Sequence, residues 1–130
     1  MQSAINRGVM NNIAKDKSEA FALRIVNLYK YLESECKEFV MSKQILRSGT
    51  SIGANLAEAE CAVSRKDFIA KIYIALKECS ETRFWLRLLY KSDYIDQKAF
   101  DSIYQDSEEL VRILSATSKT LTKGRQNNDE

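Results

Sequence analysis

No histidine and no proline occur among the 130 residues. Without histidine the chain loses the commonest general base and the commonest transition-metal ligand. The Glu-x-x-His pairs of a di-iron helical bundle are excluded with it. Without proline, only glycine and polar clusters can stop or kink a helix, and there are just four glycines. No apolar run reaches the roughly 18 residues of a membrane span. The polar opening MQSAINRG lacks the apolar stretch of a signal peptide, so the expected location is cytoplasmic, with no membrane partner. Cysteine is scarce as well. Cys36, Cys61 and Cys79 are odd in number, form no CxxC pair and each fall inside a helical pattern; reduced, buried thiols are expected rather than disulfides.

What is present fits one folded domain. Apolar residues make up 45% of the chain, too many for a disordered protein, and the length suits a single core. The net charge is only +2, but it is unevenly spread. Residues 64–94 carry seven basic and four acidic side chains, whereas residues 95–118 carry two basic and five acidic ones. A basic side and an acidic side should result. That balance is compatible with an RNA or DNA partner, although weaker than in a dedicated nucleic-acid binder.

Hydrophobic period resolves four helices and no strand. In the first, Phe21, Ile25, Leu28, Leu32 and Cys36 alternate steps of four and three, after Asp16 or Ser18 as N-cap. A polar turn follows at Ser34–Glu38. The third helix starts after the N-cap Ser64, with Asp67 three residues on, and presents Ile69, Ile72, Leu76, Cys79, Leu86 and Leu89. A turn near Ser92–Asp96 leads to the fourth, whose stripe runs Phe100, Ile103, Ser107, Leu110, Leu114, Thr117 and Leu121 before a C-cap at Gly124. Helices of this length span about 30–40 Å, and short connections make neighbours antiparallel. The expected fold is all-α: an antiparallel up-down-up-down four-helix bundle over residues 16–123, with a flexible arm at 1–15 and a disordered tail at 124–130.

The second helix contains the stretch "LRSGTSIGANLAEAE". A phosphate loop would need GxxxxGK[ST] after a strand; here the glycines are four apart, no lysine follows and no strand precedes. The apolar phase Ser42, Ile45, Gly49, Ile52, Leu56, Ala59, Val63 passes through the glycines unbroken. A continuous helix from Phe39 to Val63 is therefore expected, despite about 1 kcal/mol of propensity lost at each glycine. Gly49, Gly53 and Ala57 then form a strip of small residues that allows close helix packing, with a local bend as the alternative.

Beside that strip lies a polar one: Gln44, Arg47, Ser51, Asn55 and Glu58. A turn near residues 64–65 sets Arg47 opposite Glu81 or Thr82, Ser51 opposite Glu78, and Glu58 opposite Lys71. This predicts an ion-pair and hydrogen-bond seam that fixes register. The alternative is a carboxylate active site from Glu58, Glu78 and Glu81, but the chain supplies no histidine, nucleophile or phosphate loop to accompany it. No catalytic residue, metal ligand or cofactor site is expected.

At "QILRSGTSIGANLAEAE" and "SRKDFIAKIYIALKECSETRFWLRLLY" the chain resembles the small bacterial four-helix-bundle proteins encoded in intervening sequences of the large ribosomal RNA gene. The likeness covers about residues 16–121. It rests on Gln44, Arg47, Ser48, Ser51, Asn55 and Glu58, together with Glu78, Glu81, Trp85 and Leu86. Many relatives have proline where this chain has Gly53. The resemblance implies a cytoplasmic bundle that assembles into a ring, typically a homopentamer. It is also similar to the accessory variability determinant proteins of diversity-generating retroelements, pentameric barrels that bind nucleic acid and a reverse transcriptase.

The expected function is a non-enzymatic oligomeric scaffold that binds RNA or DNA through basic helix faces. Arg83, Arg87 and Lys91 form one stripe, and Lys119, Lys123 and Arg125 lie near the chain end. A ring would multiply that modest charge by avidity. Val26 and Tyr29 on the first helix, and Phe68, Tyr73 and Trp85 on the third, are apolar surplus for a monomer and favour assembly. The alternative is a protein-interaction ring with no nucleic-acid role.

Overall fold

The computed structural model describes residues 11–129, with side-chain surroundings for residues 13–122. A π-helical turn at Asn11–Lys15 runs directly into α1 (Asp16–Ser34), followed by α2 (Met41–Glu60), α3 (Arg65–Lys91) and α4 (Gln97–Asp129). The described residues contain no strand, and no helix among them is long and apolar enough to cross a membrane. Ile25, Ile45, Ile52, Leu56, Ile72, Leu86, Leu89, Leu110 and Leu114 are buried in one core built by all four helices.

The ends of the chain differ from the expected boundaries. Residues 11–15 are not an arm: Ala14 is buried in the core, and the turn packs on α1 and α2. Because α1 continues an existing helical turn, it needs no side-chain cap; the Ser18 hydroxyl bonds back to the Lys15 carbonyl at 2.9 Å. Residues 1–10 of the expected arm lie outside the described residues. At the other end α4 continues through Gly124 to Asp129 instead of capping there, since a helix tolerates a single interior glycine for about 1 kcal/mol.

The α1–α2 connection is built around a charge. Lys37 adopts a left-handed φ of 52°, which reverses the chain and brings Glu38 under the start of α2. The buried Glu38 carboxylate accepts the N–H groups of Val40, Met41 and Ser42 at 2.7–2.9 Å. Those donors are among the ones a helix start leaves unsatisfied, and the helix dipole favours an anion there. The helix thus starts at Met41, not Phe39. At its far end it stops at Glu60, so Val63, expected on the core stripe, is 94% exposed. Ser64 caps α3 by accepting the Asp67 N–H at 3.0 Å, and the Asp67 carboxylate accepts the Val63 N–H in return.

Helix α2 is uninterrupted through its glycines, but they do different work. A Cβ on Gly49 would lie 2.8 Å from both Cγ atoms of Ile25, a fully buried β-branched side chain. At Gly53 it would meet the Ser18 hydroxyl at 3.4 Å and the Ser18 backbone at 3.7–3.8 Å, ordinary van der Waals contact. Ala57 is exposed. The packing is thus too tight for a Cβ only at Gly49, whereas Gly53 faces the Ser18 backbone with room for one. Phe68, expected as surplus for an interface, is 2% exposed and belongs to the core, while Val26, Tyr29 and Trp85 are half-buried.

Two measurements check this packing. Gly49→Ala should destabilise the protein by about 1–3 kcal/mol through overpacking, whereas Gly53→Ala should stabilise it by up to about 1 kcal/mol through propensity. Urea unfolding that moves both variants the same way contradicts the assignment. Burial pushes the Glu38 carboxyl up, but its three N–H donors outweigh burial and hold it below the usual carboxylate range. Its stabilisation is therefore complete above the unfolded value of about 4.3 and is lost as pH falls through the lower folded value. Glu38→Ala should cost on the order of 1–2 kcal/mol at neutral pH, as loss of a cap does. The gap to wild type should close on acidification, and a gap unchanged down to pH ~3 contradicts the role.

Candidate functional site

Along α2 and α3 the polar residues meet in a falling sequence, so that higher positions on one helix face lower positions on the other. Arg47 donates to Glu78 at 3.3 Å and also pairs closely with Glu81. The buried Thr82 hydroxyl donates to Ser48 at 2.8 Å, and Lys71 lies 3.7 Å from Glu58. The indole N–H of Trp85 donates to the same Glu81 carboxylate at 3.0 Å. That bond first, and the Arg47 bond second, hold the Glu81 carboxyl below its ordinary range. Glu81 in turn keeps the Arg47 guanidinium more firmly protonated.

Not every expected member of the seam crosses it. Ser51 does not reach Glu78; its hydroxyl bonds back to the Arg47 carbonyl at 2.6 Å, and the Asn55 amide bonds back to Ser51 at 2.8 Å. Short polar side chains inside a helix commonly find the carbonyl one turn earlier. Gln44 is exposed. The three glutamates do not converge as an acid–base pair: Glu78 and Glu81 share Arg47, while Glu58 is paired separately with Lys71. Among the described residues no group of three or more potential metal ligands is found.

Arg83 and Arg87, from the expected basic stripe, turn toward α4. The Arg83 guanidinium sits 4.8 Å over the Tyr104 ring and 3.8 Å from Glu108, with its Nε buried. Arg87 is exposed but donates to the Tyr104 hydroxyl at 2.8 Å. Lys91 and Lys119 are exposed. The side chains of Lys123 and Arg125 lie outside the described residues. Arg83 is therefore a packing residue between α3 and α4, and the stripe is shifted.

The outward face of α3 keeps Lys91 and adds two other cations. Lys66, Lys77 and Lys91 are exposed there and form no ion pair among the described residues. Tyr73, Ile74, Phe84 and Leu88 are exposed on the same helix. The signal was present in the sequence: steps of seven, four, seven, four and three through 66, 73, 77, 84, 88 and 91 return a helix to one side within about 60° at 3.6 residues per turn. It was hidden because apolar residues at helical spacing read first as core.

A second feature is an open groove of about 440 Å³ between α1 and the start of α4, floored by Leu28, Ile95 and Ile103. Arg24 at its edge is already taken by Asp106 at 2.6 Å and by Ser102. The remaining polar rim of Asn27, Tyr31 and Asp96 brings no nucleophile and base together. Cys79, whose thiol burial pushes up to about 11, is buried and bonded to the Ser107 carbonyl, which makes it inert.

Known proteins similar to this chain bear on the same helices. The family of 23S rRNA-intervening sequence proteins matches over residues 10–116. A crystal structure of a protein of unknown function from the S23 ribosomal protein family of Bacteroides thetaiotaomicron is 60% identical, covers 84% of this chain and 97% of its own, and superposes with a TM-score of 0.83. No curated protein matches.

The Glu81 network can be tested directly. Trp85→Phe removes its largest hydrogen bond, so the carboxyl should titrate nearer the ordinary carboxylate range in an NMR pH series. Arg47→Ala should cost at most about 1 kcal/mol, since the pair is half exposed. An unmoved titration in Trp85→Phe would show that the indole does not hold the carboxylate.

Proposed function

This chain belongs to the 23S rRNA-intervening sequence protein family, and we propose that it is a non-enzymatic scaffold that binds RNA or DNA through the outward face of α3. The observation that carries this reading is the row of exposed cations Lys66, Lys77 and Lys91, which form no ion pair among the described residues, with Arg87 at its margin. Phosphates attract such a row without any sequence requirement. The neighbouring acids Glu78 and Glu81 share the single Arg47, so the negative charge left beside the row is outnumbered by its cations. Lys119 is exposed on α4, and Arg83, held against Tyr104 and Glu108, does not join the row.

The scaffold is a cytoplasmic up-down-up-down bundle with antiparallel neighbours, supported by the falling partner numbers along the α2–α3 seam and by three free thiols. Copies assemble into a closed ring, five by family resemblance. Leu23, 64% exposed on α1, and Phe39 and Val40 before α2 offer apolar surface for such an assembly. A ring that binds only protein is the competing reading, favoured by Ile74 and Leu88 among the α3 cations.

A labelled generic RNA decides between them. With about four phosphate contacts per chain, affinity should fall roughly 100-fold between 50 and 200 mM salt. No binding at 50 mM salt removes the nucleic-acid role. Light scattering after size-exclusion chromatography should give a particle several times the 14.9 kDa chain; a lone chain at micromolar concentration removes the ring.

A further inference from the structure

We infer that the α3 face is a stacking platform for single-stranded nucleic acid, with Tyr73 and Phe84 each holding an unpaired base between the phosphate-binding lysines. The inference rests on the nucleic-acid reading above and adds the form of the ligand. Tyr73 and Phe84 are 48% and 47% exposed, unusual for rings on a helix whose other face already fills the core. They are eleven residues apart, about 16 Å along the axis and almost on one line. Lys77 stands between them, with Lys66 before and Lys91 after, so cations and rings alternate over about 38 Å.

Neither ring is loose. The Tyr73 hydroxyl is beside Ser118 and Thr122 on α4, whose hydroxyls hold it below the ordinary tyrosine range, and the Phe84 ring is set edge-on against Trp85 at a centroid distance of 5.0 Å. Rings held in place before binding lose little freedom when a base arrives. Bases have π-faces that stack on such rings regardless of sequence, while a lysine row follows the backbone. A duplex offers the phosphates but keeps its bases stacked on each other, so it can use the lysines and not the rings. Charge complementarity favours a polyanion over a second copy, since cations outnumber the acids at the edge of this face, where Glu81 is already bonded to Arg47 and Trp85.

The test compares a fluorescein-labelled 20-nucleotide oligo-uridine RNA with an RNA duplex of the same length by anisotropy. The single strand should bind more tightly than the duplex. Phe84→Ala should weaken single-strand binding about 10-fold and leave the duplex unchanged, while Phe84→Trp should restore it. Lys77→Ala should weaken both and lower the salt slope by about one. Trp85, the only tryptophan, adjoins Phe84 and should change its fluorescence on binding the single strand. Circular dichroism and light scattering of Phe84→Ala establish that fold and assembly are intact. If Lys77→Ala weakens binding but Phe84→Ala does not, stacking is overturned and the nucleic-acid reading stands. If neither RNA binds, both fall together. If Phe84→Ala breaks an assembly into smaller particles, this face is an interface between copies and the platform is overturned.

Discussion

The side chain that residue 49 does not have sets the spacing of the first two helices. Ile25 fills the room a Cβ would take, and that contact draws α1 against α2 near the middle of both. The consequences spread in both directions. Toward the chain start, Ser18 and Ala14 are carried into the core beside the lower end of α2. On the opposite side α1 is held away from α4, so these two helices touch sparsely. What joins them is polar and lies at the surface: Arg24 with Asp106 and Ser102, and Lys17 with Glu109 at 2.6 Å. The groove over Leu28 and Ile103 is the space that this tilt leaves open.

Helix α3 takes the central position that follows. One side bonds to α2 through Glu78, Glu81 and Thr82, and another to α4 through Arg83 and Arg87. Ile69, Ile72, Cys79, Leu86 and Leu89 face the core. Only one narrow strip of the helix is left for solvent, and its lysines form no ion pair among the described residues. The strip is therefore where composition is free to serve something other than folding, and it holds rings and lysines rather than the glutamates and alanines of an idle surface.

Much of this was legible in the sequence, because a helix converts spacing into direction. Ser42, Ile45, Ile52, Leu56 and Ala59 lie where a period of 3.6 puts them, and the charges of Arg47 and Glu81 find each other once a turn is placed near Ser64. Other features depend on facts that spacing does not carry. Glu38 reads as a solvated turn residue; its role requires that Lys37 reverse the chain so that three N–H groups point at one carboxylate. Arg83 and Lys77 look alike as cations on α3, and only the position of Tyr104 on α4 decides that the first is covered and the second is not. Ala14 follows asparagines that suggest fraying, but packing against α2 overrides that weak preference.

The sparse contact between α1 and α4 also shapes how the chain reaches its structure. Every extensive helix pairing joins neighbours in sequence, α1 with α2, α2 with α3, and α3 with α4. Such pairings close short loops, and proteins dominated by them fold in microseconds to milliseconds. One exception is the clamp from Arg24 to Asp106, which spans 82 residues and has little apolar area to reward its closure. Loop entropy delays that contact until the other three pairings have brought the ends together. The first and last helices are thus the late partners in folding and the first to part when the molecule opens.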